Sequence, residues 1–241
     1  MLRFVRGCVG LVAISFTLMV QAQSFETTKR AAEQGDMVAQ ERLGFMYFEG
    51  NGVAQNDEEA EKWIRKAAEQ GYAPAQDSLG SMYISGYVVG QNDAEAVRWF
   101  RKAAEQGYVS AQVSLGVMYA RGKGVAQNSA EATKWYTRAA EQGDSGAQFL
   151  LGLRYAKSGG AARHGRKYTS SGDVVKDDAE AVKWFRRAAE QEHPGAQYFL
   201  GMMYEEGHGV TKDDDEAIKW FTKAAEYGHK DAQKALKGMK K

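Results

Sequence analysis

Cysteine is all but missing from this 241-residue chain. Cys8 is the only one, and it lies in an N-terminal segment that reads as a leader. Without that segment the protein has no thiol, so an exported form must hold together by burial alone, with no disulfide. Long hydrophobic runs are scarce too. The one apolar stretch, 9–20, is about 12 residues, short of the roughly 20 that span a bilayer. It follows Arg3 and Arg6 and leads to Val20-Gln21-Ala22, the layout of a secretory signal peptide (1–22) cleaved after Ala22. An uncleaved anchor is the alternative. A lipidated Cys8 fits less well, because the apolar run follows the cysteine and Arg6 sits where small residues are needed.

An excess of one charge sign is also lacking. Lys and Arg total 32 against 31 Asp and Glu, and loss of Arg3 and Arg6 takes the formal charge from +1 to −1. Phosphate recognition needs a clustered cationic surface, so nucleic acid is excluded as the main partner. Catalytic signatures are missing as well: there is no HExxH, SxxK or GxSxG pattern. The histidines His164, His193, His208 and His229 do not form a ligand set with metal-binding spacing, so no metal and no cofactor are expected.

What the chain does have is a beat. Trp63, Trp99, Trp135, Trp184 and Trp220 are separated by 36, 36, 49 and 36 residues. AAEQG keeps the same time at Ala31, Ala67, Ala103 and Ala139, then returns as AAEQE at Ala188 and AAEYG at Ala224. Self-similarity at this period is the signature of stacked repeats.

Each unit reads as two helices. In the first, Ala39, Gln40, Leu43, Gly44 and Tyr47 recur in later units, for instance as Ala111, Gln112, Leu115, Gly116 and Tyr119, and cover one helix face of about 140°. The glycine on that face admits a close neighbour. In the second helix, Asp57, Asp93, Ser129, Asp178 and Asp214 stand six residues before the Trp and are expected as N-caps. A Glu two residues later suits the helix dipole. Gly71, Gly107, Gly143 and Gly228 are expected to end the helix left-handed, a rule Glu192 breaks. The Trp side chains are structural, since burying one is worth about 4–6 kcal/mol by area. Turns such as Gly50-Asn51-Gly52-Val53 join the helices; a phosphate loop is excluded because no Lys-Ser/Thr pair follows.

The string Ala111-Gln-x-x-Leu-Gly-x-x-Tyr, continued by a Gly-x-Gly-Val turn and Ala132-x-x-Trp-x-x-x-Ala-Ala-x-x-Gly143, resembles the Sel-one-like repeat, a relative of the tetratricopeptide repeat. The resemblance implies an all-α, right-handed α-solenoid of antiparallel helix pairs, with the first helices lining a concave side. The expected layout is a capping helix at 23–35, five repeats (36–71, 72–107, 108–143, 144–192 and 193–228) and a closing helix at 229–241. It also implies a non-enzymatic protein–protein module, an adaptor, regulator or immunity-type inhibitor, placed in the periplasm or secreted and without membrane insertion after cleavage. Some cysteine-rich relatives are assigned penicillin binding or hydrolysis, so a weak β-lactam or cell-wall hydrolase is the alternative, but the paired cysteines of that branch are lacking.

Two features do not keep time. On the first helices, positions equivalent to 41, 45 and 48 vary, mixing charge and apolar residues early. Later units offer Val113, Val117, Phe149, Leu153, Tyr198 and Met202. Either these line an open apolar groove for a protein partner, or curvature buries them. The 49-residue step adds about 13 residues near 159–171, bearing Arg163, His164, Arg166 and Lys167. That segment is either an accessory binding loop for an acidic partner or an envelope surface, or a tolerated insertion.

Overall fold

A computed structural model describes residues 23–156 and 176–239 of the chain. Among these residues all regular structure is helical: α1 (23–33), α2 (Met37–Glu49), α3 (Asp57–Glu69), α4 (Ala73–Ser85), α5 (Asp93–Glu105), α6 (Val109–Arg121), α7 (Ser129–Glu141), α8 (Ser145–Tyr155), α9 (Asp178–Glu190), α10 (Pro194–Glu206), α11 (Asp214–Glu226) and α12 (Lys230–Met239). The chain divides into two compact units, Met1–Tyr108 and Val109–Lys241. The first pairs α2 with α3 and α4 with α5; the second pairs α6 with α7, α8 with α9 and α10 with α11, and then α12 packs on α11. This is the antiparallel-pair solenoid class that the repeat implies. The leader at 1–22 and the basic insertion with Arg163, His164, Arg166 and Lys167 lie outside the described residues.

Within a pair, the recurring glycine of the first helix receives the bulky residue that follows the Trp. A Cβ on Gly80 would stand 2.7 Å from Phe100, and one on Gly116 would stand 2.5 Å from Tyr136; Gly44, Gly152 and Gly201 meet Ile64, Phe185 and Phe221 in the same way. The Trp itself reaches into the preceding core. Trp99 packs with Ile64, Ala67 and Leu79, Trp184 with Tyr136 and Leu151, and Trp220 with Phe185 and Leu200. A cation three residues on covers each ring, from Lys102 Nζ at 4.0 Å over Trp99 to Lys66 Nζ at 4.9 Å over Trp63. The residue after the Trp thus holds the pair together, and the Trp packs into the preceding core.

A glutamine ladder supplies polar order. Gln40 Nε2 donates to Ala32 O at 3.0 Å, and its Oε1 accepts from Gln70 Nε2 at 2.5 Å. Gln76 repeats this with Ala68 O and Gln106, and Gln148 with Ala140 O and Gln191. Each buried amide therefore ties the end of one second helix to the next pair, which offsets the cost of taking it out of water. Gln197 keeps its bond to Ala189 O, but its buried Oε1 has no partner. Tyr227 stands where the other repeats place the donating Gln.

The N-caps fall one residue earlier than the spacing to Trp predicts. Asn56, Asn92, Asn128, Asp177 and Asp213 are extended caps, and their side chains accept from the backbone N–H of Glu59, Glu95, Glu131, Glu180 and Glu216. Asp57 and its equivalents are the first helical residues, where charge still favours the positive helix end. Both residues of each doublet are cap formers, but only the first stands three before the Glu, the spacing a capping box requires. Each cap residue also donates its own N–H to a first-helix tyrosine carbonyl: Asn56 to Tyr47, Asn92 to Tyr83 and Asp177 to Tyr155.

At the other helix end Gly71, Gly107, Gly143 and Gly228 are left-handed as expected. Glu192 breaks the rule in sequence only, since its backbone is held at φ 63°. The stack therefore imposes the left-handed turn on a residue with a Cβ.

Candidate functional site

Positions 41, 45 and 48 share a stripe of the first helix with position 38. In α2 this stripe is Val38, Glu41, Phe45 and Phe48, of which Phe45 is 39% and Val38 is 55% exposed. Opposite it, α4 offers Asp77, Ser78, Ser81 and Ser85, and the turn after α4 adds Tyr87 and Val88. With Phe45 and Phe48 of α2 these residues line a depression of about 470 Å³. Tyr87 is 67% exposed, and its ring meets Phe48 edge-on at 6.0 Å. The serines keep the floor low, and the aromatics form the wall.

One end of this depression is acidic. Glu41 accepts from Ser78 Oγ at 3.3 Å. Burial holds the Glu41 carboxyl above its ordinary range, and the like charge of Asp77 adds to the shift. The phenols of Tyr72 and Tyr108 are also raised, by burial first and then by Glu41 and Asp36 at Tyr72 and by Asp77 and Glu41 at Tyr108.

In the second unit the same stripe is more enclosed. Val113 and Val117 are half-buried against Tyr136, Ala139 and Leu151. Phe149 and Leu153 are half-buried against Val182 and Phe185. Phe149 stacks on His193 with ring centroids 4.6 Å apart, and Tyr198 stacks on His229 at 4.6 Å. Both histidines cap the next first helix through Nδ1, which accepts from Ala196 N and Ala232 N respectively. So residues 149 and 198 vary together with the cap of the following helix. Burial lowers the His193 pKa below its ordinary value.

Tyr198 and Met202 are only 4% exposed each, so of the two alternatives it is burial that holds at those positions. The reason is that Phe221 of α11 and Ala232 of α12 pack with them. They remain visible as the floor of a depression of about 520 Å³ walled by Ile218, Lys234 and Met239. The more open apolar surface lies instead in the first unit, at Val38 and Phe45 of the stripe and at the Tyr87 turn. Sequence spacing set Phe45 aside because its neighbours are charged. The signal that finds Tyr87 is the loss of the Gly-x-Gly-Val turn at Gly86.

Arg154 occupies the place that Met46, Met82, Met118 and Met203 hold elsewhere. It is buried, and its guanidinium donates to Thr133 Oγ1 at 2.7 Å and Ser129 O at 2.6 Å. Lys176, across the insertion, donates to Arg154 O at 2.7 Å, and burial together with the Arg154 charge lowers its pKa. Among the described residues no group of three or more His, Cys, Asp or Glu could hold a metal ion, and no helix is long and apolar enough to cross a membrane.

A Sel1 repeat profile matches residues 38–72, 73–108, 109–144, 145–193 and 194–229. Among solved structures the chain is similar to a Sel1 repeat protein from Oxalobacter formigenes, at 34% identity and a TM-score of 0.73 over 93% of this chain and 88% of that one. It is also similar to c5321, a protective antigen present in uropathogenic Escherichia coli strains displaying an SLR fold. There the identity is 36% and the TM-score 0.56, over 88% of this chain and 50% of that one. A Sel1 repeat protein from Klebsiella pneumoniae subsp. pneumoniae shares 25% identity with a TM-score of 0.50, over 90% of this chain and 99% of that one. The comparison with curated proteins returns no match. With five consecutive repeats matched between residues 38 and 229, the chain belongs to the Sel1 repeat family.

Proposed function

We propose that this Sel1 repeat protein is a non-enzymatic scaffold that binds another protein along the varying face of its first helices. In this reading residues 1–22 are a cleaved leader, and the mature chain works in the periplasm or outside the cell. One contrast carries the reading. The recurring residues of the first helices, such as Leu43, Leu79 and Leu115, are fully buried, whereas Phe45, Val113, Val117, Phe149 and Leu153 keep part of their apolar surface open. Apolar surface retained on a face that stacking does not close is the common mark of a docking site.

A photo-crosslinking residue placed in living cells at 45, 113 or 153, with Lys62 on a second helix as control, tests the proposal. The expected result is one shared crosslinked protein from the three first-helix sites and none from position 62. Equal or absent capture at all four sites overturns it. Mass spectrometry of protein from the envelope fraction should show an N-terminus at Gln23, and recovery of intact Met1 there overturns the cleaved leader. Among the described residues no metal-holding group of His, Cys, Asp or Glu supports the hydrolase alternative. Saturable turnover of a penicillin reporter by purified mature protein, lost on a point substitution, would displace the binding-only reading.

A further inference from the structure

Asparagine occurs four times in this chain, as Asn51, Asn56, Asn92 and Asn128, and three of the four are helix caps. The side chains of Asn56, Asn92 and Asn128 accept from the backbone N–H of Glu59, Glu95 and Glu131 at 3.0, 3.1 and 3.0 Å. The residue after each is the first of a helix and carries a Cβ. Asn51 differs on every count. It is exposed in the turn between α2 and α3, its side chain has no hydrogen bond among the described residues, and Gly52 follows it. Other repeats carry Tyr87, Lys123 and His208 at the same place, so packing does not require an asparagine there.

The turn leaves the neighbouring backbone free as well. Gly50 and Gly52 are left-handed, at φ 72° and 74°, a region that residues with a Cβ rarely enter. The backbone bonds of the turn run from Asn51 N to Met46 O and from Asn56 N to Tyr47 O, each 2.9 Å long. Among the described residues no hydrogen bond engages Gly52 N, and no Cβ shields it. Asparagine is one of the thermolabile residues of proteins. Here its side-chain carbonyl carbon and the next backbone nitrogen are both unrestrained, in an exposed turn.

We propose that Asn51-Gly52 is a self-modifying site, which converts with time to aspartyl and isoaspartyl forms. The deprotonated backbone nitrogen of Gly52 attacks Asn51 Cγ. The N–Cγ bond forms, the Cγ–Nδ2 bond breaks, and Nδ2 leaves as ammonia with the proton that Gly52 N gave up. Water then opens the cyclic imide. Opening at the side-chain carbonyl restores the ordinary backbone with a carboxylate on the side chain. Opening at the main-chain carbonyl routes the backbone through Cβ and Cγ and leaves the main-chain carbon as the carboxylate. One water is consumed, one ammonia is released and one negative charge is gained, with no oxidant or reductant.

Both products keep the helix pair. Val53 packs with the core of Leu43, Met46 and Trp63, and the bond from Asn56 N closes the connection beyond it. The second repeat has Gly86-Tyr87-Val88-Val89 in place of this turn, and its equivalent bond, Asn92 N to Tyr83 O, is still made at 3.0 Å. Pairing thus does not depend on the residues inside the turn. The conversion is a charge mark that records the age of the molecule and spares its fold.

The test incubates purified protein at mildly alkaline and mildly acidic pH, digests it in acid, and reads the peptides by mass spectrometry. A gain of one mass unit is expected in the peptide holding Asn51, faster at the alkaline pH. Two chromatographically separate products should form, one of them labelled by an isoaspartyl methyltransferase. The rate should lie within about tenfold of that of a capped, unstructured peptide, Glu-Gly-Asn-Gly-Val-Ala. Asn51→Lys, which borrows the residue of the third repeat, should abolish the gain. Circular dichroism and Tm should be the same before and after conversion. No gain at position 51 while the peptide converts overturns the proposal. So does equal gain at Asn56, Asn92 and Asn128, which would assign the chemistry to unfolded chain. Loss of helix content on conversion would overturn the claim that the mark spares the fold.

Discussion

At the scale of single residues, the stack shows its strength where the sequence departs from its own rule. Glu192 is held at φ 63° because its neighbours are docked on both sides. A Cβ in that region costs about 1–2 kcal/mol, part of which glycine would return through unfolded-state entropy. Glu192→Gly should therefore stabilise by about 0.5–1 kcal/mol, a rise in Tm of about 1–4 °C for a chain of this length, read by thermal unfolding. The hydrogen bond from Tyr227 that Glu192 accepts is surface-exposed and should cost little when lost.

His193 carries a pH signature. Its folded-state pKa lies below the ordinary value of 6.5, with burial as the main cause and Asp144 acting in the opposite direction. As pH falls through 6.5 the unfolded chain takes up the proton first, so this contribution to stability is complete above 6.5 and is lost on acidification. Protonation also removes Nδ1 as the acceptor for Ala196 N. His193→Asn keeps a cap acceptor without titrating, so its Tm should fall less than that of the parent between about pH 7.5 and pH 5.5. Glu41 works with the opposite sign. Its raised pKa means the native state gains protons first, so acidification relieves strain there. Both proteins share Glu41, and the comparison isolates His193.

At the scale of elements, the caps give the sharpest contrast. Asn56→Ala removes the acceptor for Glu59 N at 3.0 Å and should cost about 1 kcal/mol. Asp57→Ala removes only a charge near the helix dipole, worth about 0.3–1 kcal/mol and screened by salt. Chemical denaturation at low and high salt should show the first loss unchanged and the second diminished. Equal, salt-sensitive losses would return the cap to Asp57.

This contrast also shows how far the sequence could be read. Helix positions, glycine contacts and buried tryptophans were legible because each is a one-residue choice repeated at one spacing. The cap was misplaced by one because Asn56 and Asp57 are both cap-forming residues, and it is the distance to Glu59 that selects the first. The exposed face was less legible still. Phe45, Phe48 and Tyr87 meet only after α2, α4 and the following turn are assembled, and Tyr198 and Met202 look like Phe45 in sequence until α11 and α12 are laid over them. Burial by a neighbouring element is a property of the pair of elements, and no periodicity within one of them reports it.

At the scale of the whole molecule, a repeat array draws its stability from each unit and its neighbours, so local opening is expected to follow local burial. Among the described helices with their own burial sets, α12 buries a single residue, Ala232, whereas α10 buries seven. Amide hydrogen exchange should therefore run fastest in α12 among α2–α12 and slowest in the interior pairs. Uniform exchange across α10–α12 would show that α12 is held as firmly as the core. If α12 opens as expected, Tyr198 and Met202 become transiently accessible, measurable as faster oxidation of Met202 than of the equally buried Met203.

The bond from Asp177 N to Tyr155 O, 2.8 Å long, bridges the two ends of the segment that stretches one repeat interval to 49 residues. Asn56 and Tyr47 make the same bond where the connection is short. Helix pairing is thereby decoupled from the length of chain between the helices, because the doorway is latched whatever lies beyond it. Evolution, or an engineer, can lengthen, exchange or cut the chain at that one point and graft a foreign sequence there while α8 and α9 stay in register.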